Sequence, residues 1–233
     1  MIKKTILMIP LLLMSTSLMA KDGVSGAVET GFVFTSGNTD TRTVNAKGKL
    51  AYIKGKSRNT ASLEALYVDG EQGKLSEKYL GQGKTAYQFS EHSYGFVNGS
   101  LERDLFSGYD YQATLTTGYG YRFIDTKKFT LDVEGGPGYR RNKLDKQNAE
   151  GELIGRASGL FAYRVAKTST FTEELVSEFG SDAVITRSVT AITAQIVGNM
   201  AMKASLTIKN NSNTPMGVDA TDTETALTLV YSF

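Results

Sequence analysis

The chain lacks cysteine and tryptophan entirely, and among its 233 residues it has only 3 prolines and one histidine. Without cysteine neither a disulfide nor a thiolate metal site can form, so the fold rests on backbone ladders and packing. The scarcity of histidine removes the usual near-neutral base for activating a hydroxyl or a water. His92 sits in the turn SEHS, away from the loop side of the chain, and reads as a solvated turn residue. GxSxG, HExxH and phosphate-loop patterns are also missing. No catalytic residue, metal or cofactor is therefore expected, and the chain does not read as an enzyme. Asp219 and Asp222 in the loop NNSNTPMGVDATD lack the spacing of a calcium loop and read as polar.

A second absence is a long apolar run beyond the first residues. Lys3 and Lys4, the apolar stretch Ile6 to Met14 broken only by Pro10, and the small-residue exit Ser15 to Ala20 read as a signal peptide over residues 1–20. That stretch is shorter than the ~20 residues of a membrane-spanning helix. Its removal takes two lysines and no acid, leaving 24 basic and 24 acidic groups. With no excess of either sign, nucleic acid is not an expected partner. A chain of this kind enters a membrane only as a closed barrel.

What is present is glycine, tyrosine and phenylalanine, 24, 12 and 11 residues, in a period of two. The pattern predicts one all-β domain over 21–233 with twelve strands: 23–35, 43–52, 60–68, 78–89, 94–103, 111–123, 129–140, 152–164, 170–180, 185–196, 200–209 and 221–233. Val44, Ala46, Gly48, Leu50 and Tyr52 alternate with Thr43, Asn45, Lys47 and Lys49 in the clearest case. The fifth strand is expected to turn Val97, Gly99 and Leu101 outward, and Pro137 on the seventh predicts a bulge or a local break. The tenth mixes its faces and is expected to bring no charge inward. An even number of strands suits a closed antiparallel up-and-down transmembrane barrel.

Three patterns support that class over a soluble sandwich. Short turns (KGKSRN, SEHS, IDTKK, VAKTS, VGN) alternate with longer loops, of which 141–151 and 210–220 are the longest. Aromatics of the apolar face gather near strand ends, as interfacial girdles do: Tyr52, Tyr87, Phe89, Tyr121, Phe123, Phe129, Phe161, Tyr163, Phe171, Tyr231 and Phe233 near the turns, and Phe32, Phe34, Tyr67, Tyr79, Tyr111, Tyr139 and Phe179 near the loops. The inward charges alternate in sign from strand to strand: Glu29; Lys47 and Lys49; Glu64; Lys78 and Lys84; Glu102; Arg122; Asp132 and Glu134; Arg156 and Arg164; Glu174 and Glu178; Lys203 and Lys209; Glu224. Arg140 and Glu152 depart from the rule. These side chains are expected to line a lumen and to brace neighbouring strands. At the junction of the last strand with the first, Glu224 and Glu29 share a sign, which predicts the least braced seam.

SGNTDT after a strand ending GFVF, with ERDLFSGYDY ahead of TTGYGYRF, resembles a bacterial family of salt-induced outer membrane proteins built on a domain of unknown function. The resemblance covers nearly the whole chain after the leader. It implies export to the cell outer membrane, outer-membrane lipid as surroundings, and a terminal aromatic pair, Tyr231 and Phe233, recognised by the outer-membrane assembly machinery. From the residues alone, SGNTDT reads as a tight turn and ERDLFSGYDY as a self-bonded loop. The leading expectation is a structural barrel or a narrow pore for small solutes or ions. The alternatives are an outer-membrane enzyme acting on lipid, disfavoured by the single histidine, and a soluble periplasmic ligand-binding barrel, disfavoured by the charged inner face.

Overall fold

The computed structural model describes residues 22–36, 41–70, 73–104, 109–144, 148–214 and 218–233. The expected signal peptide, the centre of SGNTDT and the centre of ERDLFSGYDY lie outside the described residues, as do the side chains of Phe32 and Phe34.

Alternating sequence becomes strand throughout. In chain order these are β1 Gly23–Ser36, β2 Thr41–Lys54, β3 Ser57–Gly70, β4 Gly73–Gln88, β5 Ser93–Asp104 and β6 Tyr109–Asp125. They continue as β7 Phe129–Leu144, β8 Ala149–Ala166, β9 Ser169–Gly180, β10 Val184–Val197, β11 Met200–Asn211 and β12 Thr221–Ser232. Each pairs antiparallel with its neighbours in sequence, and β12 returns to β1, so the barrel is closed with no free edge. At the seam Ala27 opposes Ser232 and Ser36 opposes Thr223. Phe233 extends the ladder, donating its N–H to Gly26 O and accepting from Gly26 N, each at 2.9 Å.

The apolar face points out. Leu63 and Leu153 are 73% and 80% exposed, and Val97 and Leu101 of β5 are exposed too, which fixes the register expected for that strand. Exposed apolar side chains over the whole girth suit hydrocarbon surroundings and not water. The turn-end aromatics form contacts with one another, including Phe129 stacked on Tyr163 at 4.8 Å and Tyr121 edge-on to Phe123 at 5.0 Å. Two of the tight turns place Gly55 and Gly198 at positive φ, 55° and 52°, a conformation glycine adopts without strain.

Two expectations need correction. The predicted loop 141–151 is mostly strand, because β7 runs to Leu144 and β8 begins at Ala149; ladder hydrogen bonds form between polar residues as readily as apolar ones, so hydropathy underestimates hairpin length. The longest connection between strands is 212–220. The tenth strand is not uncharged within: Arg187 pairs in register with Val176 of β9 and Lys209 of β11, which places it on the inner face. Mixed composition on both faces hid its parity. At the seam Asp222, Glu224 and Glu29 are all acidic, so no ion pair joins β12 to β1 directly, and the pair that braces it, described below, runs from β11 to β1 over β12. Pro137 does interrupt pairing: β6 and β7 are bridged at Thr116–Gly138 and again at Tyr119–Gly135, with no bridge between and no change of register.

Candidate functional site

The inner wall is where the sequence concentrates charge, and the barrel brings it together in tiers. Near the short turns, Arg122 on β6 holds Asp132 on β7 through two hydrogen bonds, Nε to Oδ1 at 2.7 Å and NH2 to Oδ2 at 3.2 Å. Lys84 on β4 reaches past β5 and β6 to pair with Glu134 on β7. The Tyr94 hydroxyl donates to the same carboxylate at 2.7 Å, and the Lys84 ammonium stands 4.9 Å above the Phe96 ring. Tyr94 and Phe96 point inward, 9% and 4% exposed, and narrow the lumen at this level. Neither carries a charge, and parity along β5, where Val97 and Leu101 point outward, identifies both as inner-face residues. Arg58 of β3, also unassigned from sequence, is an electrostatic neighbour of Arg122, Asp132 and Tyr94.

A second tier lies nearer the loops. Lys47 pairs with Glu64 at 3.3 Å on adjacent strands, and Lys78 stands 4.0 Å from Glu102. Lys209 on β11 meets the same Glu102 on β5 at 2.7 Å. Five strands separate β5 from β11 in either direction around the ring, so this ion pair runs across the full lumen. Arg187 interacts electrostatically with Glu64, Glu102 and Glu224. The third tier, close to the outer rim, centres on Arg140. It donates to Glu152 Oε1 at 2.7 Å and to Ala183 O at 2.7 Å, lies 3.7 Å from Glu178, and is 1% exposed. Arg156 adds a 3.2 Å bridge to Glu178.

Charges of opposite sign therefore meet, though by more routes than adjacent strands. Arg122–Asp132, Lys47–Glu64 and Arg156–Glu178 follow the expected neighbour rule. Lys84–Glu134, Lys209–Glu102 and Lys203–Glu29 do not. The last pair, at 3.0 Å, joins β11 to β1 over β12, so it braces the very seam where two acids were expected to leave a weakness. A lysine stem is long enough to span one strand when the intervening inward side chains, here Thr228 and Val230, are short. Arg140 and Glu152, the exceptions to the sign rule, satisfy each other. Lys49 and Glu174 face one another as electrostatic neighbours from distant strands, and both are solvent-accessible. Arg164 lies on β8 near the turn end. Among the described residues no group of three acids or histidines is placed to hold a metal ion.

Outside the lumen, His92 is an exposed turn residue with its ring 6.1 Å from that of Tyr121. Asp219 and Asp222 are electrostatic neighbours beside Asp104 and Lys209 at the loop end. Tyr231 and Phe233 project outward, ring centroids 6.5 Å apart, within the turn-end girdle.

A closed barrel of twelve strands with a lipid-type exterior and a charged interior defines the class of outer-membrane β-barrels. Solved structures of that class share the fold. The chain resembles an outer membrane channel from Pseudomonas putida F1 with a TM-score of 0.54 and 12% identity over 94% of this chain and 98% of that one. It resembles the KdgM porin in complex with disordered oligogalacturonate with a TM-score of 0.52 and 12% identity, over 89% and 99%. The translocator domain of the autotransporter NalP from Neisseria meningitidis gives 0.55 and 12%, over 93% and 91%. Residues 28–233 match the family described as "Protein of unknown function, DUF481", and the chain belongs to that family. A relative in Escherichia coli (strain K12), "Uncharacterized protein YdiY", is 28% identical over 214 residues, 91% of this chain and 84% of that protein.

Proposed function

We propose that this protein is a non-enzymatic outer-membrane channel of small bore, passing small solutes or ions through a lumen constricted by opposed charges. The observation that supports it best is the lumen wall itself: acids and bases in near balance, one pair reaching from β5 to β11 across the barrel and accessible charges at Lys49 and Glu174 between the tiers. Twelve strands enclose more space than eight, whose interior side chains fill, and less than the open lumen of sixteen. Balanced charge predicts weak selection between cations and anions, because no single-sign field runs along the path.

Planar-bilayer recording of the purified protein tests the reading directly. Small, nearly unselective unitary currents are expected; silence across repeated insertions would leave a structural barrel. Location in the outer membrane is read from heat-modifiable migration and from resistance to osmotic-shock extraction, and release without detergent would refute it. The family resemblance adds a role under raised salt: a strain lacking the protein should grow more poorly there, and equal growth would remove that part of the proposal.

A further inference from the structure

The lipid-facing side of β9 and β10 departs from the rest of the girth. On β9 the outward residues between the girdle positions Phe171 and Phe179 are Glu173, Leu175 and Ser177. On β10 they pair in register with Thr190, Ser188 and Thr186. Glu173 is, among the described side chains, the one acidic or basic group facing outward between the two aromatic levels; Glu77, Arg103, Arg141 and Lys143 lie at the loop ends. Its carboxylate accepts from Ser188 Oγ at 2.6 Å and from Thr190 Oγ1 at 2.5 Å, and Ser177 and Thr186 hydroxyls lie 3.1 Å apart.

Hydrocarbon is a poor neighbour for this cluster. A carboxylate offers about four lone-pair sites, and the two hydroxyls occupy one on each oxygen. Beside Phe161 at the inner edge of the turn-end girdle, little water reaches the remainder. Side chains of this kind act as glue between membrane proteins, since association removes them from lipid.

We propose that the β9–β10 face is an interface through which two copies of this chain pair side by side in the membrane. The occupant is a second copy because the face is complementary to itself. A two-fold axis along the membrane normal, passing between β9 and β10, sets the β9 of one protomer against the β10 of the other. Each in-register pair then meets its own reverse: Glu173 opposes a threonine hydroxyl, Leu175 opposes the small Ser188, and Ser177 opposes Thr186. A polar residue faces a polar one and a large residue faces a small one, while the two carboxylates fall on opposite sides of the axis; Thr190, whose one hydroxyl hydrogen serves Glu173 of its own chain, can exchange it with the facing carboxylate.

The absence of native cysteine makes the test clean. Leu175→Cys, beside the proposed axis, and Leu63→Cys, on β3 across the barrel, are each treated in native outer membranes with a short thiol-reactive cross-linker. Leu175→Cys is expected to give a species of twice the monomer mass and Leu63→Cys to stay monomeric. Glu173→Ala in the Leu175→Cys background should lower the yield several-fold while heat-modifiable migration, which reports an intact barrel, is unchanged. Three results overturn the proposal: no product from Leu175→Cys, equal product from both cysteine variants, or a product whose mass identifies a different partner. If Glu173→Ala does not fold, the comparison of the two cysteine variants remains decisive.

Discussion

Glu102→Gln is the substitution that interrogates the constriction. Glu102 holds two lysines, Lys209 at 2.7 Å from the far wall and Lys78 at 4.0 Å on the adjacent strand, with all three side chains less than a fifth exposed. The amide keeps the shape but removes the charge, so the trans-lumenal tie loses its charge-assisted character, worth about 1.5–3 kcal/mol for a hydrogen bond to a charged group. Lys209 is then free to fold back toward β11, and unitary conductance rises. The constriction also gains one positive charge. For an ion passing at ~7 Å, Coulomb's law screened over a Debye length of ~8 Å gives about 0.3 kcal/mol at the dielectric of water and about 1 kcal/mol at an effective dielectric of 20. The same charge favours an anion and disfavours a cation by that amount, so the anion-to-cation ratio shifts roughly 2- to 30-fold. Lys209→Met removes the other end of the tie, so it should raise conductance equally but move selectivity toward cations. The double variant should conduct like either single one and recover the parent selectivity, as expected when two groups act through one contact. Reversal potentials in asymmetric salt measure the ratio. If Glu102→Gln changes neither conductance nor reversal potential, the pair does not lie on a conduction path and the channel reading fails at this tier.

Three further outcomes follow from the same geometry. Arg140→Met leaves Glu152 and Glu178 without their shared cation and Ala183 O without its donor; a loss on the order of 3–5 kcal/mol is expected for a broken buried pair, read as a lower temperature for the gel shift from folded to unfolded barrel. Gly120→Ala places a methyl against the Tyr94 ring, which must swing off β6 and give up its bond to Glu134; conductance should rise, and an unchanged value would show that Tyr94 does not narrow the path. Deleting Phe233 removes both seam hydrogen bonds to Gly26 and one of the aromatics proposed for recognition by the assembly machinery. Less folded barrel in the outer membrane is expected, with unaltered single-channel behaviour in whatever inserts, and full assembly would rule out a role for that residue.

The strands and their faces were legible because a period of two is a local property. Lys47 and Lys49 could be assigned to the inner face from Val44 to Tyr52 alone, and β5 showed the expected outward Val97 and Leu101. Legibility failed where the two faces carry similar residues. On β10, Thr186, Ser188 and Thr190 face outward, so neither Arg187 nor the lipid-facing polar cluster could be placed until β9 and β11 fixed the register. The inward aromatics Tyr94 and Phe96 were legible by the same rule, since Val97 and Leu101 outward set both of them inward, though nothing local showed that they would meet Lys84 and Glu134.

By itself, then, the sequence determined a transmembrane-type barrel: twelve alternating segments, an apolar exterior and a charged interior, each set by neighbours a few residues apart. Which charges meet was decided only in three dimensions. Closure of the ring carries Lys209 to Glu102 from opposite walls and Lys203 over β12 to Glu29, contacts between residues 107 and 174 positions apart in the chain. No local rule encodes such pairings, because they depend on the diameter of the barrel and on the reach of a side chain across it.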